Sequence, residues 1–164
     1  MINILQTERL TIELLTLHDS AFILELLNTE GWLKFIGDRN VHSTEDAEKY
    51  IQRISDNSNY SYFACKRKED NTAAGVITLI KRSYLEHHDI GFAFLPAYAK
   101  LGYAYEAAKE VLDELGKSGE HKKILAITLK DNIRSIRLLE KLGLMFEREI
   151  VEDGEVLRVY EISF

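Results

Sequence analysis

Three sets of residues have the types and spacing to do chemistry. The first lies in LPAYAKLGYAYEAAKEVLDEL, 95–115, where Gly102 stands between a strand pattern and a helical one. A helix start leaves backbone N–H groups unpaired, and with the helix dipole they form a site for an anion. Glycine lets the backbone come close to a phosphate with no side chain in the way. A plain connecting loop is the alternative. The second set is Asn132 and Ser135, three apart at the start of another helical pattern and so on one face of it. The third is Asp89, a carboxylate at a strand start that could act as a base through a water, or sit there as a surface residue. His87 and His88 are neighbours on a strand and face opposite sides, so they cannot easily share an ion. No other cluster has ligand spacing, and no metal is expected. Cys65 sits mid-strand and reads as a small core residue. The chain has neither a full GxGxxG fingerprint nor a Walker lysine motif, which removes the main support for dinucleotide or NTP binding.

These residues need elements to position them. RLTIELL (9–15) alternates as a strand, and 19–32 carries a helical stripe that Gly31 could end. A helix over 43–56 has Ser43 as its cap and Ala47, Tyr50, Ile51 and Ile54 as its buried face. Strands at 60–67 and 73–82 flank the turn-rich KEDNT and read as a hairpin. A strand follows at 88–95, with Gly91 inside it suggesting a bulge or a close backbone approach. Next come a helix over about 103–117, a strand at 122–129 buried on both faces, and a helix capped by Asp131 or Asn132 that stops at Gly143. Two final strands flank Asp153-Gly154, a hairpin signal. The order βααβββαβαββ predicts an α/β architecture with a mixed sheet.

The bulk properties narrow the function. At 164 residues, 46% hydrophobic and 29% charged, the chain reads as one globular domain spanning 1–164, without repeats or linkers. The net charge of -6 disfavours nucleic acid as the main ligand. One cysteine permits no internal disulfide, which suits a reducing compartment. The N-terminus has no signal-peptide pattern, and no apolar run is long enough for a membrane span. The expected location is the cytoplasm.

The loop and helix at 99–104, Ala-Lys-Leu-Gly-Tyr-Ala, resemble the acyl-CoA-binding motif of the GNAT superfamily of N-acetyltransferases. That motif is Arg or Gln, two residues, Gly, one residue, then Gly or Ala. Gly102 and Ala104 match it; Ala99 stands where Arg or Gln is usual, and Lys100 brings a neighbouring positive charge. NIRSIRLLEKLGL (132–144) resembles the family's Asn-x-x-Ser-x-x-Leu-x-Glu-Lys-x-Gly-Phe segment, with Leu144 in place of the final Phe. TERLTIELL and NTEGWLKFIGDR (28–39) resemble the branch that contains the ribosomal-protein N-terminal alanine and serine acetyltransferases. The similarity runs in order along nearly the whole chain.

The resemblance implies a GNAT-like α/β fold. Its mixed, mostly antiparallel sheet would have about seven strands and about four helices, splayed between strands 88–95 and 122–129. Acetyl-CoA would be the co-substrate. Its pyrophosphate would lie on Lys100, Leu101, Gly102, Tyr103 and Ala104, and its pantetheine arm in the splay, held by backbone N–H groups near Phe94 and Leu95 and by Asn132. Ser135 would bond near the sulfur and stabilise or protonate the thiolate, since the position of the tyrosine acid common in the family is Leu139. Asp89 falls where relatives often carry a Glu base. Trp32, Phe35 and Ile36 would wall the acceptor pocket, or simply cover the core. Arg134 and Arg137 could reach the CoA phosphates or be solvated.

The acceptor implied is a small-molecule amine or a protein N-terminus, reached by direct transfer in a ternary complex. An α-amine of pKa ~7.7–8.0 is neutral in about one molecule in ten at pH 7, a lysine in about one in 2,500, so a weak base favours the α-amine. The final strands could support a homodimer. A non-catalytic acyl-CoA-binding or sensing domain is the alternative, motivated by Ala99, Leu139 and the open question of the base. An interaction protein that keeps the fold as scaffold is the third reading.

Overall fold

The computed structural model describes residues 2–164. Its strands are β1 (Leu5–Gln6), β2 (Leu10–Leu14), β3 (Tyr60–Arg67), β4 (Ala73–Ile80), β5 (Asp89–Phe94), β6 (Lys123–Leu129), β7 (Met145–Glu152) and β8 (Glu155–Ser163). Its helices are α1 (Ser20–Leu27), α2 (Glu30–Phe35), α3 (Thr44–Ser55), α4 (Tyr103–Ser118) and α5 (Ile133–Lys141). Short 3₁₀ turns lie at Leu17–Asp19 and Pro96–Tyr98. All eight strands join one sheet in the order β1-β2-β3-β4-β5-β6-β8-β7. Among the described residues the β5–β6 pairing is parallel and the others are antiparallel.

Two counts differ from the sequence expectation. The eighth strand is β1, two residues paired with β2, too short to show a period. The fifth helix arises because the stripe over 19–32 is interrupted. The Asn28 side chain turns back to the Leu24 carbonyl, and Thr29 caps a new helix by accepting the Trp32 N–H at 3.3 Å. Gly31 therefore lies inside α2 rather than ending α1. A Thr cap followed by an acidic first-turn residue, Glu30, is enough to start a helix here.

Alternation along the strands divides the core. Phe63, Cys65 and Ile77 face the side covered by α4 and α5, whereas Tyr62, Ala64 and Val76 face the side covered by α1, α2 and α3. Helix α4 seals its side with Ala107, Ala108, Val111, Leu112 and Leu115. Gly91 makes no bulge, since the β4–β5 register runs unbroken through it. It serves a close approach instead: a Cβ there would lie 2.6 Å from Thr78 Oγ1. The β7–β8 turn uses Asp153 and Gly154, both left-handed, as a two-residue hairpin requires.

The sheet opens between β5 and β6. Their pairing is limited to Asp89 with Leu125, and the Leu125 N–H donates to the His88 carbonyl at 2.9 Å. Beyond that point the strands part, at the place expected. Among the described residues no helix is long and apolar enough to cross a membrane.

Candidate active site

A groove of about 1440 Å³ follows this opening across the molecule. Strand β5 forms one wall. The Leu95 N–H donates to the Ala74 carbonyl at 2.9 Å, so that amide is committed to the sheet. In an antiparallel ladder successive N–H groups point to opposite sides, which turns the Phe94 and Phe92 amides toward the gap. Of the two amides expected to hold a ligand, Phe94 keeps a free donor and Leu95 does not. The Leu95 side chain also packs in the core at 5% exposure. A strand with an unpaired edge in a groove suits an extended ligand that carries amides.

The loop before α4 forms the groove's next section. Lys100 (φ 61) and Gly102 (φ 83) are both left-handed, a backbone conformation that turns successive N–H groups to one side. The amides of residues 102–105 meet no acceptor among the described residues; the first bonded one is Glu106 N–H, to the Gly102 carbonyl. Lys100, Gly102, Tyr103 and Ala104 line the groove. Leu101 does not: its side chain is half exposed and its carbonyl accepts from Arg9 Nη1 at 2.9 Å.

Arg9 was not anticipated from the sequence, and it locks this loop. Its Nε donates to Glu106 Oε2 at 2.7 Å, its backbone N–H to Oε1 at 2.8 Å, and its guanidinium stacks 4.3 Å from the Tyr103 ring. Thr7 Oγ1 adds a bond to Glu106 at 2.6 Å. Burial pushes the Glu106 carboxyl up, but Thr7 and Arg9 together hold it below its ordinary value. The partners are 97 residues apart in sequence, so no local pattern announces them.

Helix α5 faces the open end. Asn132 caps it, its side-chain carbonyl accepting the Ser135 N–H at 3.3 Å, which leaves the Asn132 amide as a donor beside the groove. Ser135 Oγ is half-buried on the groove wall and has no partner among the described residues. Leu139, one turn on, is buried. Arg134 and Arg137 border the same wall.

Asp89 stands at the pivot of the splay, 2% exposed and paired with Arg82 Nε at 2.8 Å. Burial pushes its carboxyl above the ordinary value of 3.8, and Arg82 opposes that. It is therefore not a solvated surface residue, and it borders the groove. Arg82 is a second residue that the sequence did not single out. Trp32, Phe35 and Ile36 lie together on the far wall; Trp32 is 4% exposed, and its indole N–H meets no acceptor among the described residues. Cys65 is buried and its thiol is pushed up by burial, in keeping with a core role. His87 and His88 form no metal group; among the described residues no three His, Cys, Asp or Glu side chains cluster as ligands.

The groove thus joins an unpaired strand edge, an anion-ready helix start, a free hydroxyl and an aromatic wall. Comparisons with known proteins agree with that geometry. The family model described as an acetyltransferase (GNAT) domain matches residues 9–145. The uncharacterized N-acetyltransferase YnaD of Bacillus subtilis (strain 168) is 28% identical over 141 residues, covering 86% of this chain and 82% of that protein. The crystal structure of a GNAT-family acetyltransferase from Bacillus anthracis superposes with a TM-score of 0.82 at 25% identity, over 98% of each chain. RimL, a ribosomal L7/L12 α-N-protein acetyltransferase solved in complex with coenzyme A, shares the fold with a TM-score of 0.84 at 14% identity, over 98% of each chain. This chain belongs to the GNAT family and is an acetyltransferase.

Proposed function

We propose that the enzyme transfers the acetyl group of acetyl-CoA directly to a primary amine, a protein N-terminal α-amine among the candidates, in a ternary complex. The carrying observation is the single-bridge opening of the sheet beside an unpartnered helix start. That pairing fits a molecule with a pyrophosphate at one end and two amides along its arm. CoA in the RimL complex supports the donor, and RimL's protein α-amine supports the acceptor class.

Acetyl-CoA supplies an acetyl group activated as a thioester. The residues of this chain bind, orient and move protons. The free amides of 102–105 and Lys100 take the pyrophosphate, with Arg134 and Arg137 as further cations. The Phe94 amide and the Asn132 side-chain amide hold the arm, and a β5 amide polarises the acetyl carbonyl. The amine nitrogen forms its bond to the carbonyl carbon as the carbon–sulfur bond breaks. The departing sulfur takes a proton from Ser135, which regains one from solvent, and the amine's proton leaves through a water to Asp89. The raised Asp89 carboxyl supports its role as the base, because a higher pKa makes a stronger proton acceptor. Trp32, Phe35 and Ile36 wall the acceptor.

The test is thiol release from acetyl-CoA with a panel of primary amines and N-terminal peptides, with the acetylated product identified by mass. Amine-dependent release is the expected result. Tight acetyl-CoA binding without release for any amine would defeat the reading.

A further inference from the structure

We propose that the acceptor amine carries an anionic group, a carboxylate or a phosphate, which Arg39 and Arg53 bind at the far end of the groove. This rests on the acetyl-transfer reading above and names the acceptor class within it.

The argument begins from the arginines. The chain has nine, in a molecule of net charge -6 with 27 acidic residues. Five are ion-paired: Arg9 with Glu106, Arg67 with Glu69 and Asp70, Arg82 with Asp89, Arg148 with Glu86 and Glu147, and Arg158 with Glu149. Arg39, Arg53, Arg134 and Arg137 make no ion pair among the described residues, and all four line this groove. Acids outnumber bases, so unpaired arginines gathered along one cavity indicate anions from outside the chain. Arg134 and Arg137 lie on α5, beside the section read as the CoA site. Arg39 and Arg53 do not: they follow α2 and sit on α3, on the aromatic wall.

The two arginines line the groove together with a tyrosine pair. Tyr50 and Tyr62 meet with their hydroxyls 3.4 Å apart. Arg53 stands 6.0 Å from the Tyr50 ring, and the charge of Arg39 acts on the Tyr62 phenol. Among the described residues Arg39 makes one further bond, a 3.4 Å contact from Nη1 to the Gly37 carbonyl. Both guanidinium groups are exposed and free to close on a planar or tetrahedral oxyanion in two-pronged fashion. Trp32 adds a buried N–H that meets no acceptor among the described residues, on the same wall. Glu30 and Lys34 of α2 also border the groove and offset each other.

One stretch of the lining has the opposite charge. Glu152, Asp153 and Glu155, at the tip of the β7–β8 hairpin, line the groove, and Glu152 is close enough to act on the Tyr84 phenol. An ammonium is attracted there before it loses its proton. The groove therefore has a cationic pole and an anionic pole, which matches a molecule bearing both an amine and an anion. A polyamine would set its second cation against Arg39 and Arg53, and like charges brought together oppose binding.

The experiment is steady-state thiol release with matched acceptors that differ only in the anion. The small-molecule arm pairs phenylalanine with phenethylamine and O-phosphoethanolamine with ethanolamine. The peptide arm pairs a peptide beginning Ser-Glu with one beginning Ser-Gln. The anionic member of a pair is expected to show kcat/KM higher by about tenfold, ~1.4 kcal/mol. Arg39→Gln and Arg53→Gln should each shrink that ratio, and the double variant should abolish it, with acetyl-CoA affinity and the neutral acceptor unchanged. A preference confined to peptides assigns the anion to an acidic protein N-terminus; one confined to small amines assigns it to a free amino acid or amino phosphate. Equal or better turnover of the neutral members or of a polyamine, or a preference that survives in the double variant, overturns the proposal while leaving acetyl transfer standing. No turnover of any amine would overturn the acetyl-transfer reading and this one with it.

Discussion

Ser135 and Asp89 are the two side chains whose chemistry a single substitution isolates. Ser135 Oγ is half-buried without a partner among the described residues, so its removal disturbs no bond within the fold. Ser135→Ala is expected to lower kcat by roughly 10²-fold with little change in acetyl-CoA affinity, as loss of a proton donor would. Steady-state kinetics beside calorimetric titration checks it, and normal turnover removes Ser135 from the mechanism. Asp89 makes a different kind of claim, because its carboxyl is raised by burial against the pull of Arg82. The folded chain then binds that proton more readily than the unfolded chain. Stability from this group is complete below the ordinary value of 3.8 and is lost as pH rises through the higher folded value. Asparagine cannot titrate, so the melting temperature of the wild type relative to Asp89→Asn should fall as pH is raised upward from 3.8. A difference independent of pH would show that Asp89 titrates alike folded and unfolded. Loss of turnover in the same variant is expected of a base.

The element whose geometry matters most is the loop between β5 and α4. Gly102 holds φ +83, and a Cβ there would lie 3.3 Å from Arg9 Nη2. Any L-residue costs about 1–2 kcal/mol in that conformation. Gly102→Glu adds a negative charge at the proposed pyrophosphate site, so acetyl-CoA affinity should drop steeply, as measured by titration. Unchanged affinity would refute the loop as the pyrophosphate site. Arg9→Ala tests the same element from behind. It removes the side-chain bonds to the Leu101 carbonyl and the Glu106 carboxylate and the stacking on Tyr103, while Arg9 itself does not line the groove. Weaker acetyl-CoA binding with little change in kcat is expected, since the loop would lose its preset shape.

At the scale of the molecule, ligand binding and folding share one equilibrium. In the proposed mode acetyl-CoA would span β5, the α4 start and α5, three elements that meet only in the folded chain. At a hundredfold excess over its dissociation constant it should add about 2.7 kcal/mol. For a chain of this length that raises the melting temperature by roughly 5–10 °C. A thermal scan with and without acetyl-CoA reads it directly. A folded protein that shows no shift would leave the groove without its donor.

Local order in the sequence was enough for most of the elements and for the family. The stripes Ala107, Ala108, Val111, Leu112, Leu115 and Ala47, Tyr50, Ile51 fall on the buried faces that a 3.6-residue period assigns, and Asp153-Gly154 turns the hairpin. Gly102, Asn132 and Ser135 could be singled out because helix starts have local chemistry. What the sequence left open lies between segments distant along the chain. The break at Asn28 depends on a side-chain bond that reaches the Val41 carbonyl, and β1 exists only through its partner strand. The commitment of the Leu95 amide follows from register with Ala74. The Arg9–Glu106 clamp, the Arg82–Asp89 pair and the gathering on one groove of four arginines without an ion pair among the described residues depend on packing that brings separate elements together. Periodicity and capping act over a few residues of chain, whereas hydrogen-bond partners and charge balance are set by distance in space, which only the tertiary structure decides.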